Sequence, residues 1–195
     1  MKIHRRRLLA IAVVLVSPLF SGRAVYAAHP TVRWDIVSVQ PPDVRAGGHA
    51  SARTNNDFKI TLTGSGTFRI KPGNPQATGG GTFEIRNQAE ELVNAGTYEV
   101  TGVVRFEVAP GELNPLLIDH IGNPAEAQAG LVVLNIAYSD GAEGILVVSC
   151  HLIETPDQVF EGITVSHRFV DFWNREAPSD DPFIDANRTL FHVSP

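Results

Sequence analysis

The chain lacks the residues and motifs that most directly indicate a function. It has one cysteine in 195 residues, so no internal disulfide can form and a small disulfide-stapled fold is excluded. Only 19% of the residues are charged while 43% are hydrophobic, and this balance excludes a disordered or fibrous chain. The length is that of one domain with a short extension.

Several common catalytic and metal-binding motifs are also missing. The run Gly79-Gly80-Gly81 is not followed by Gly-Lys-Ser/Thr, which excludes a P-loop. No serine occupies a G-x-S-x-G elbow, and no H-E-x-x-H motif or calcium loop occurs. Six histidines follow residue 27, but no two have the i, i+2 spacing that places two ligands on one strand face. We therefore predict no cofactor and no metal site; a site of two or three histidines with Asp119 or Asp171 is the alternative. The six are His29, His49, His120, His151, His167 and His192.

The first 27 residues have the pattern of a secretory signal peptide. A basic start that includes Arg5-Arg6-Arg7 precedes an apolar core from Leu8 to Phe20, which is shorter than the roughly 20 residues of a membrane-spanning helix. Val25-Tyr26-Ala27 then offers small residues for cleavage after Ala27. We expect export by the general secretory route, with the twin-arginine route as the alternative because of the arginine run. Residues 28–195 are then a single β domain, secreted or periplasmic, with no stable membrane anchor.

The part of the chain after residue 27 carries a net negative charge. Residues 28–195 hold eleven of the sixteen Lys and Arg and all twenty-one Asp and Glu, which gives a net charge of −10. An acidic surface repels nucleic acid and anionic lipid, so we predict no nucleic-acid partner. Arginine is preferred over lysine, which indicates a GC-rich bacterial genome.

Apolar and polar residues alternate along most of the remaining chain, which is the period of half-buried strands. Glycine, proline and asparagine runs such as Gly64-Ser65-Gly66, Gly79-Gly80-Gly81 and Ser139-Asp140-Gly141 are interpreted as turns between them. The sequence predicts an all-β fold, an antiparallel small β-barrel or β-sandwich of about eight to nine strands, with one to three short helices in the connections. The predicted strands cover residues 32–39, 58–63, 67–71, 82–86, 97–108, 131–138, 145–153, 162–169 and 189–193.

The strand starts Gly66-Thr67-Phe68 and Gly81-Thr82-Phe83, together with the chain length, resemble dirigent-type and allene-oxide-cyclase-type barrels. The resemblance implies a barrel and carries no activity.

The long connection 109–130 contains two Asn-Pro helix starts, at Asn114 and Asn123, each followed by a glycine stop. A third helix is predicted at 88–93. The apolar residues of the connection either plug one end of the sandwich or form the rim of a functional site.

The segments 131–138 and 145–153 contain the candidate site. Each has one strictly apolar face, and matching these two faces requires even-numbered residues to pair with even-numbered ones. That register places Asn135, Ser149 and His151 together on the opposite face, within cross-strand reach. They form either a satisfied polar cluster under a loop or the lining of a ligand-binding pocket. Cys150 points to the other face, away from His151, and is predicted to be a buried, inert side chain.

These observations favour an exported bacterial β-domain that binds a small apolar ligand, a glycan or a partner protein without catalysis. The aromatic segment 170–176 is either a surface for a glycan or protein partner or an anchor for the C-terminal residues. The alternative function is a barrel-type isomerase or cyclase in which His151 is the general acid/base and Asn135 and Ser149 orient the substrate. Whether the face that carries these residues opens into a cavity distinguishes the two.

Overall fold

The computed structural model describes residues 29–69, 76–178 and 187–195. Residues 1–27 lie outside this range, so the signal peptide and its cleavage stay predictions. Within the described residues there is no helix of the length and apolarity that a membrane span requires. They form fourteen β-strands and one short 3-10 helix, Pro124–Glu126. The strands are Thr31–Gln40 (β1), Asp43–Ala46 (β2), Ala50–Arg53 (β3), Lys59–Leu62 (β4), Ser65–Arg69 (β5), Ala77–Arg86 (β6), Leu92–Ala109 (β7), Ile118–Asp119 (β8), Ala127–Tyr138 (β9), Glu143–Cys150 (β10), Gly162–His167 (β11), Val170–Phe172 (β12), Asn174–Arg175 (β13) and Arg188–Ser194 (β14).

Six of these strands close into an antiparallel barrel in the order β1, β5, β6, β7, β9, β14 and back to β1. Strands β10, β11 and β12 continue from β9, while β4, β3 and β13 continue from β6. Strand β2 pairs with β1, and β8 pairs in parallel with β2. The all-β prediction with a barrel is confirmed, although the number of strands is higher than predicted.

Aromatic side chains fill the barrel. Trp34 is fully buried, and the ring of Phe106 packs edge-on against Phe68 at 5.3 Å and Phe191 at 5.4 Å between ring centroids. The apolar face of β10, which lies outside the closed ring, extends this core, and the buried apolar side chains of the described residues form one cluster. Burial of such large side chains is the main contribution to the stability of the fold.

Strand β7 departs from the alternation that the sequence suggests. Tyr98 and Val100 are buried as expected, but Val104 and Val108 on the same predicted face are more than half exposed. The pairing of β7 with β9 shifts register between Val100 and Gly102 and again between Val103 and Arg105. Each β-bulge inserts one extra residue into β7, so the side chains that face the core do not follow a single alternation along the whole strand.

The turn interpretation of the glycine runs is wrong at two places. Gly66 lies in β5, and the run Gly79-Gly80-Gly81 lies within β6. A Cβ atom at Gly66 would stand 2.1 Å from the carbonyl oxygen of Thr78 and 2.7 Å from Trp34 Nε1. Glycine is therefore required because the backbones of β5 and β6 approach each other closely over Trp34. The turn at Ser139-Asp140-Gly141 is confirmed as the loop between β9 and β10.

The helix predictions are mostly wrong. The predicted helix at Asn123 is present only as the single 3-10 turn Pro124–Glu126, capped by the side chain of Asn123 as expected. The predicted helix at Asn114 is a turn followed by β8, and the segment 88–93 is a turn that leads into β7. In the connection 109–130 the backbone hydrogen-bonds to neighbouring strands instead, for example from Ile118 N to the carbonyl oxygen of Pro42 at 2.7 Å.

Candidate functional site

A cavity of about 270 Å³ lies at one end of the barrel. Its walls are the last residues of β1, strand β2, the connection after β7, the residues after β10 and the first residues of β14. The apolar side chains that line it include Val37, Val39, Val44, Leu113, Leu117 and Leu190. Five polar residues also reach the cavity: Asn114, His151, Glu161, Arg188 and Thr189. A concave apolar surface with a few convergent polar groups is the usual form of a small-molecule site.

Glu161 joins two strands that separate at this end of the sheet. Strand β9 pairs with β14 only at Phe191 and His192, so the N–H of Thr189 has no partner from β9. The Glu161 carboxylate takes that place: Oε1 accepts from the N–H of Thr189, and Oε2 accepts from the N–H of His151, each at 2.5 Å. The Thr189 hydroxyl donates to the carbonyl oxygen of Ser149 at 2.6 Å. The carboxylate therefore closes the gap between the end of β10 and the start of β14.

The environment of Glu161 changes its acidity. Burial raises the pKa of this carboxyl to about 7, because an ionised carboxylate loses its hydration inside the protein. The two backbone N–H groups and the nearby charge of Arg188 act in the opposite direction but do not cancel the effect of burial. A carboxyl group that titrates near neutral pH beside a cavity is a common feature of functional sites.

The imidazole of His151 is held in a defined orientation. Its Nδ1 lies 2.7 Å from the carbonyl oxygen of Val159, so Nδ1 carries the proton and donates. In the neutral ring Nε2 is then an acceptor, and within the described part of the chain it has no hydrogen-bond partner. Glu161 contacts the backbone of His151 and not the ring, so the two side chains do not form a hydrogen-bonded dyad.

The predicted register of β9 and β10 is confirmed, but it does not bring the three predicted site residues together. Asn135 lies opposite Ile145, whereas Ser149 lies opposite Leu131. At about 3.3 Å per residue, Asn135 is therefore about 13 Å from Ser149 along the ladder and about 20 Å from His151. Sharing a face fixes the side of a sheet on which residues lie, not their position along the strand. The expectation of cross-strand reach is wrong for Asn135.

Asn135 and Ser149 have different surroundings. Asn135 is exposed and lines a separate, more open groove with Glu143 and Arg168. Ser149 is fully buried, and its hydroxyl has no hydrogen-bond partner among the residues that the structure describes. Of the three predicted residues, only His151 lines the cavity at the end of the barrel.

Little in the sequence pointed to the other polar residues of the cavity. Glu161 lies in a loop, and its two partners His151 and Thr189 are 10 and 28 residues away. The one available indication was the connection 109–130, whose predicted alternatives were a plug and a rim. It has both features: Leu117 and Ile121 pack against the core, while Leu113 and Asn114 line the cavity.

Two histidine–aspartate pairs fasten this connection to the barrel. Asp119 accepts from Nε2 of His192 in β14 at 2.6 Å, and both side chains are buried. The next residue, His120, is paired through Nε2 with Asp43 of β2 at 2.5 Å in a more exposed position. No group of three or more His, Cys, Asp and Glu side chains that could hold a metal ion occurs among residues 29–69, 76–178 and 187–195.

The aromatic segment 170–176 is divided between core and surface. Phe172 is buried, which anchors the segment, while Trp173 is 62% exposed and donates from Nε1 to the side chain of Asn55. Phe169, in the preceding turn, is fully exposed. Phe172 thus has the predicted anchoring role, while a partner surface at the exposed residues stays a prediction.

Cys150 is a buried free thiol on the core face of β10, as predicted. Burial raises its pKa, so little reactive thiolate is present. We expect a thiol reagent to label Cys150 slowly in the folded protein and rapidly after denaturation. Cys150→Ala should lower the free energy of unfolding by about 1 kcal/mol through lost packing. Fast labelling of the native protein would contradict the assignment.

Comparisons of the chain with protein-family models, with curated proteins and with solved structures find no match. The functional proposal therefore depends on the geometry of the cavity.

Proposed function

We propose that this protein binds a small, mainly apolar molecule in the cavity at the end of the barrel. The observation that supports the proposal is the cavity itself, about 270 Å³ in volume, with apolar walls and polar groups that include His151 and Glu161. At about 30 Å³ for each water molecule, this volume equals about nine waters. The ligand is accordingly the size of a one- or two-ring hydrocarbon.

The arrangement of the polar groups favours binding over catalysis. Both carboxylate oxygens of Glu161 already accept backbone N–H groups, and this carboxylate does not touch the ring of His151. His151 is oriented by a neutral carbonyl group rather than by a carboxylate that would strengthen it as a base. Export of the protein, which the first 27 residues predict, belongs to the same proposal and fits capture of a ligand outside the cytoplasm.

An acid–base isomerase or cyclase is the second candidate. One observation favours it: His151 presents an unpartnered Nε2 beside a carboxyl group whose pKa burial raises to about 7. Such a ring nitrogen can take a proton from a carbon next to a carbonyl group and return it. Deuterium exchange at the carbon next to the carbonyl of 1-indanone, followed by NMR in heavy water, distinguishes the two. A binding protein leaves the exchange at the rate of buffer alone, whereas an isomerase accelerates it and loses the effect in His151→Phe.

The bicyclic hydrocarbon indane provides the test of binding. We expect indane to shift the methyl NMR signals of Val37, Leu113 and Leu117 in a saturable manner, because these side chains line the cavity. Val39→Phe should abolish the shifts by filling the cavity, while the control Val104→Phe, on the exposed face of β7, should leave them unchanged. Failure to bind, or shifts that survive Val39→Phe, would overturn the proposal.

A further inference from the structure

The hydrogen bonds already made around the cavity determine what a ligand must offer. The Nδ1 proton of His151 is used by the carbonyl oxygen of Val159, so Nε2 of the neutral ring presents a lone pair and no proton. The single hydroxyl proton of Thr189 is directed to the carbonyl oxygen of Ser149 at 2.6 Å, with Glu161 Oε1 at 3.2 Å. Toward a ligand, both side chains can therefore act only as acceptors.

Glu161 adds to this set of acceptors. Oε2 accepts one backbone N–H and keeps a second lone-pair site, whereas Oε1 accepts the N–H of Thr189 and is also near its hydroxyl; the ionised group has no proton to give. The positive charge of Arg188 acts on this carboxylate, so the two opposite charges offset each other when Glu161 is ionised. The polar side of the cavity thus does not favour a strongly charged ligand.

One cavity residue supplies a neutral donor. The side-chain oxygen of Asn114 accepts the N–H of Leu116 at 2.9 Å, so the amide NH₂ of Asn114 is the group that remains to donate. A hydroxyl group is the smallest neutral group that both donates and accepts, and it complements an acceptor at His151 and a donor at Asn114.

We infer that the cavity is selective for a neutral apolar molecule with a hydroxyl group, an alcohol or a phenol, whose proton is donated to Nε2 of His151. A ketone of the same skeleton leaves this nitrogen without a partner, and a carboxylate places a second negative charge near Glu161. The inference rests on the proposed function, because it names the ligand class of the same cavity.

The test compares four molecules of one skeleton with the full chain at pH 8, above the usual titration range of imidazole. They are indane, 1-indanone, 1-indanol and indane-1-carboxylate, and the dissociation constants are measured by NMR titration. We expect 1-indanol to bind about tenfold more tightly than 1-indanone, the effect of one net hydrogen bond. In His151→Phe the two should bind within about twofold of each other, because the acceptor is gone. The control His49→Phe, at an exposed histidine outside the cavity, should keep the tenfold difference.

A second measurement does not depend on the folding of a variant. The imidazole ¹⁵N signal of Nε2 of His151 should shift on addition of 1-indanol and not on addition of indane, because only the alcohol donates to it. Equal or tighter binding of 1-indanone or of the carboxylate would overturn the inference, as would a preference for 1-indanol that persists in His151→Phe. If indane binds but the alcohol has no advantage, the ligand class is wrong while the cavity still binds; if none of the four binds, the proposed function fails as well.

Discussion

Replacing Glu161 with glutamine is expected to lower the free energy of unfolding by about 2 kcal/mol at pH 5 and to change it very little at pH 8. At pH 5 the wild-type carboxyl is protonated in the folded state and still offers both oxygens to the N–H groups of His151 and Thr189. Glutamine has one oxygen, so its NH₂ group faces one of these donors and leaves it without an acceptor. Urea unfolding across this pH range measures both values.

The pH dependence follows from the direction of the pKa shift. Burial raises the pKa of Glu161 from 4.5 to about 7, so between these values the folded protein binds a proton that the unfolded chain does not. Stability from this group is complete below the unfolded pKa and is lost as the pH rises through the folded one. The wild type should therefore lose roughly 2 to 3 kcal/mol between pH 5 and pH 8 relative to the glutamine variant.

A matched control separates this effect from a general change in charge. Glu107 is exposed on β7, and Glu107→Gln should stay within about 0.5 kcal/mol of the wild type at both pH values. A constant difference between wild type and Glu161→Gln at every pH would show that Glu161 does not titrate in this window.

The strands were predictable from the sequence to the extent that they are long enough to show a period. All nine predicted segments correspond to strands, whereas β2, β3, β8, β12 and β13, of two to four residues each, were missed. Runs this short contain at most two repeats of the alternation; β4 is equally short but lies inside the longer alternating segment 58–63, which made it recognisable. The bulges in β7 could not be predicted from the sequence either, because a register shift depends on the pairing with the partner strand β9 and not on the local pattern.

The site was only partly predictable for a related reason. Strand periodicity identified the face on which His151 lies. The other polar residues that line the cavity come from a loop, a distant strand and the connection 109–130. Glu161 is an acidic residue in a loop, where charged residues are usual, and nothing local distinguishes it from a solvated one. Its role arises because β9 leaves β14 after two residue pairs and the N–H of Thr189 needs another acceptor.

The largest loss of stability in the connection 109–130 is expected for Asp119→Ala. The side chain of Asp119 is fully buried and accepts three hydrogen bonds: from Nε2 of His192 at 2.6 Å and from the N–H groups of Ile121 and Gly122 at 2.8 and 3.3 Å. The other ring nitrogen of His192, Nδ1, is buried without a partner among the described residues. Removal of the carboxylate therefore leaves the whole ring unsatisfied, at a cost of about 3 to 4 kcal/mol in unfolding free energy.

The neighbouring pair provides the control. Asp43→Ala breaks the hydrogen bond to His120, but both side chains are about one-third exposed, so water replaces the partner. The expected loss is much smaller than for Asp119→Ala, because exposed ion pairs contribute little to stability. Urea unfolding of the two variants should show this difference although both remove an aspartate paired with a histidine.

The same substitution links stability to ligand binding. Strand β8 is held by backbone hydrogen bonds from Ile118 to Pro42 and from His120 to Val44, and Asp119 lies between them. Without its carboxylate we expect the amide hydrogens of residues 117–122 to exchange faster, while those of the barrel strands change only with the global stability. Because Leu113 and Leu117 are walls of the cavity, indane should also bind more weakly to Asp119→Ala than to Asp43→Ala. Unchanged exchange in this segment, together with wild-type affinity for indane, would show that the connection is held over the cavity by other contacts.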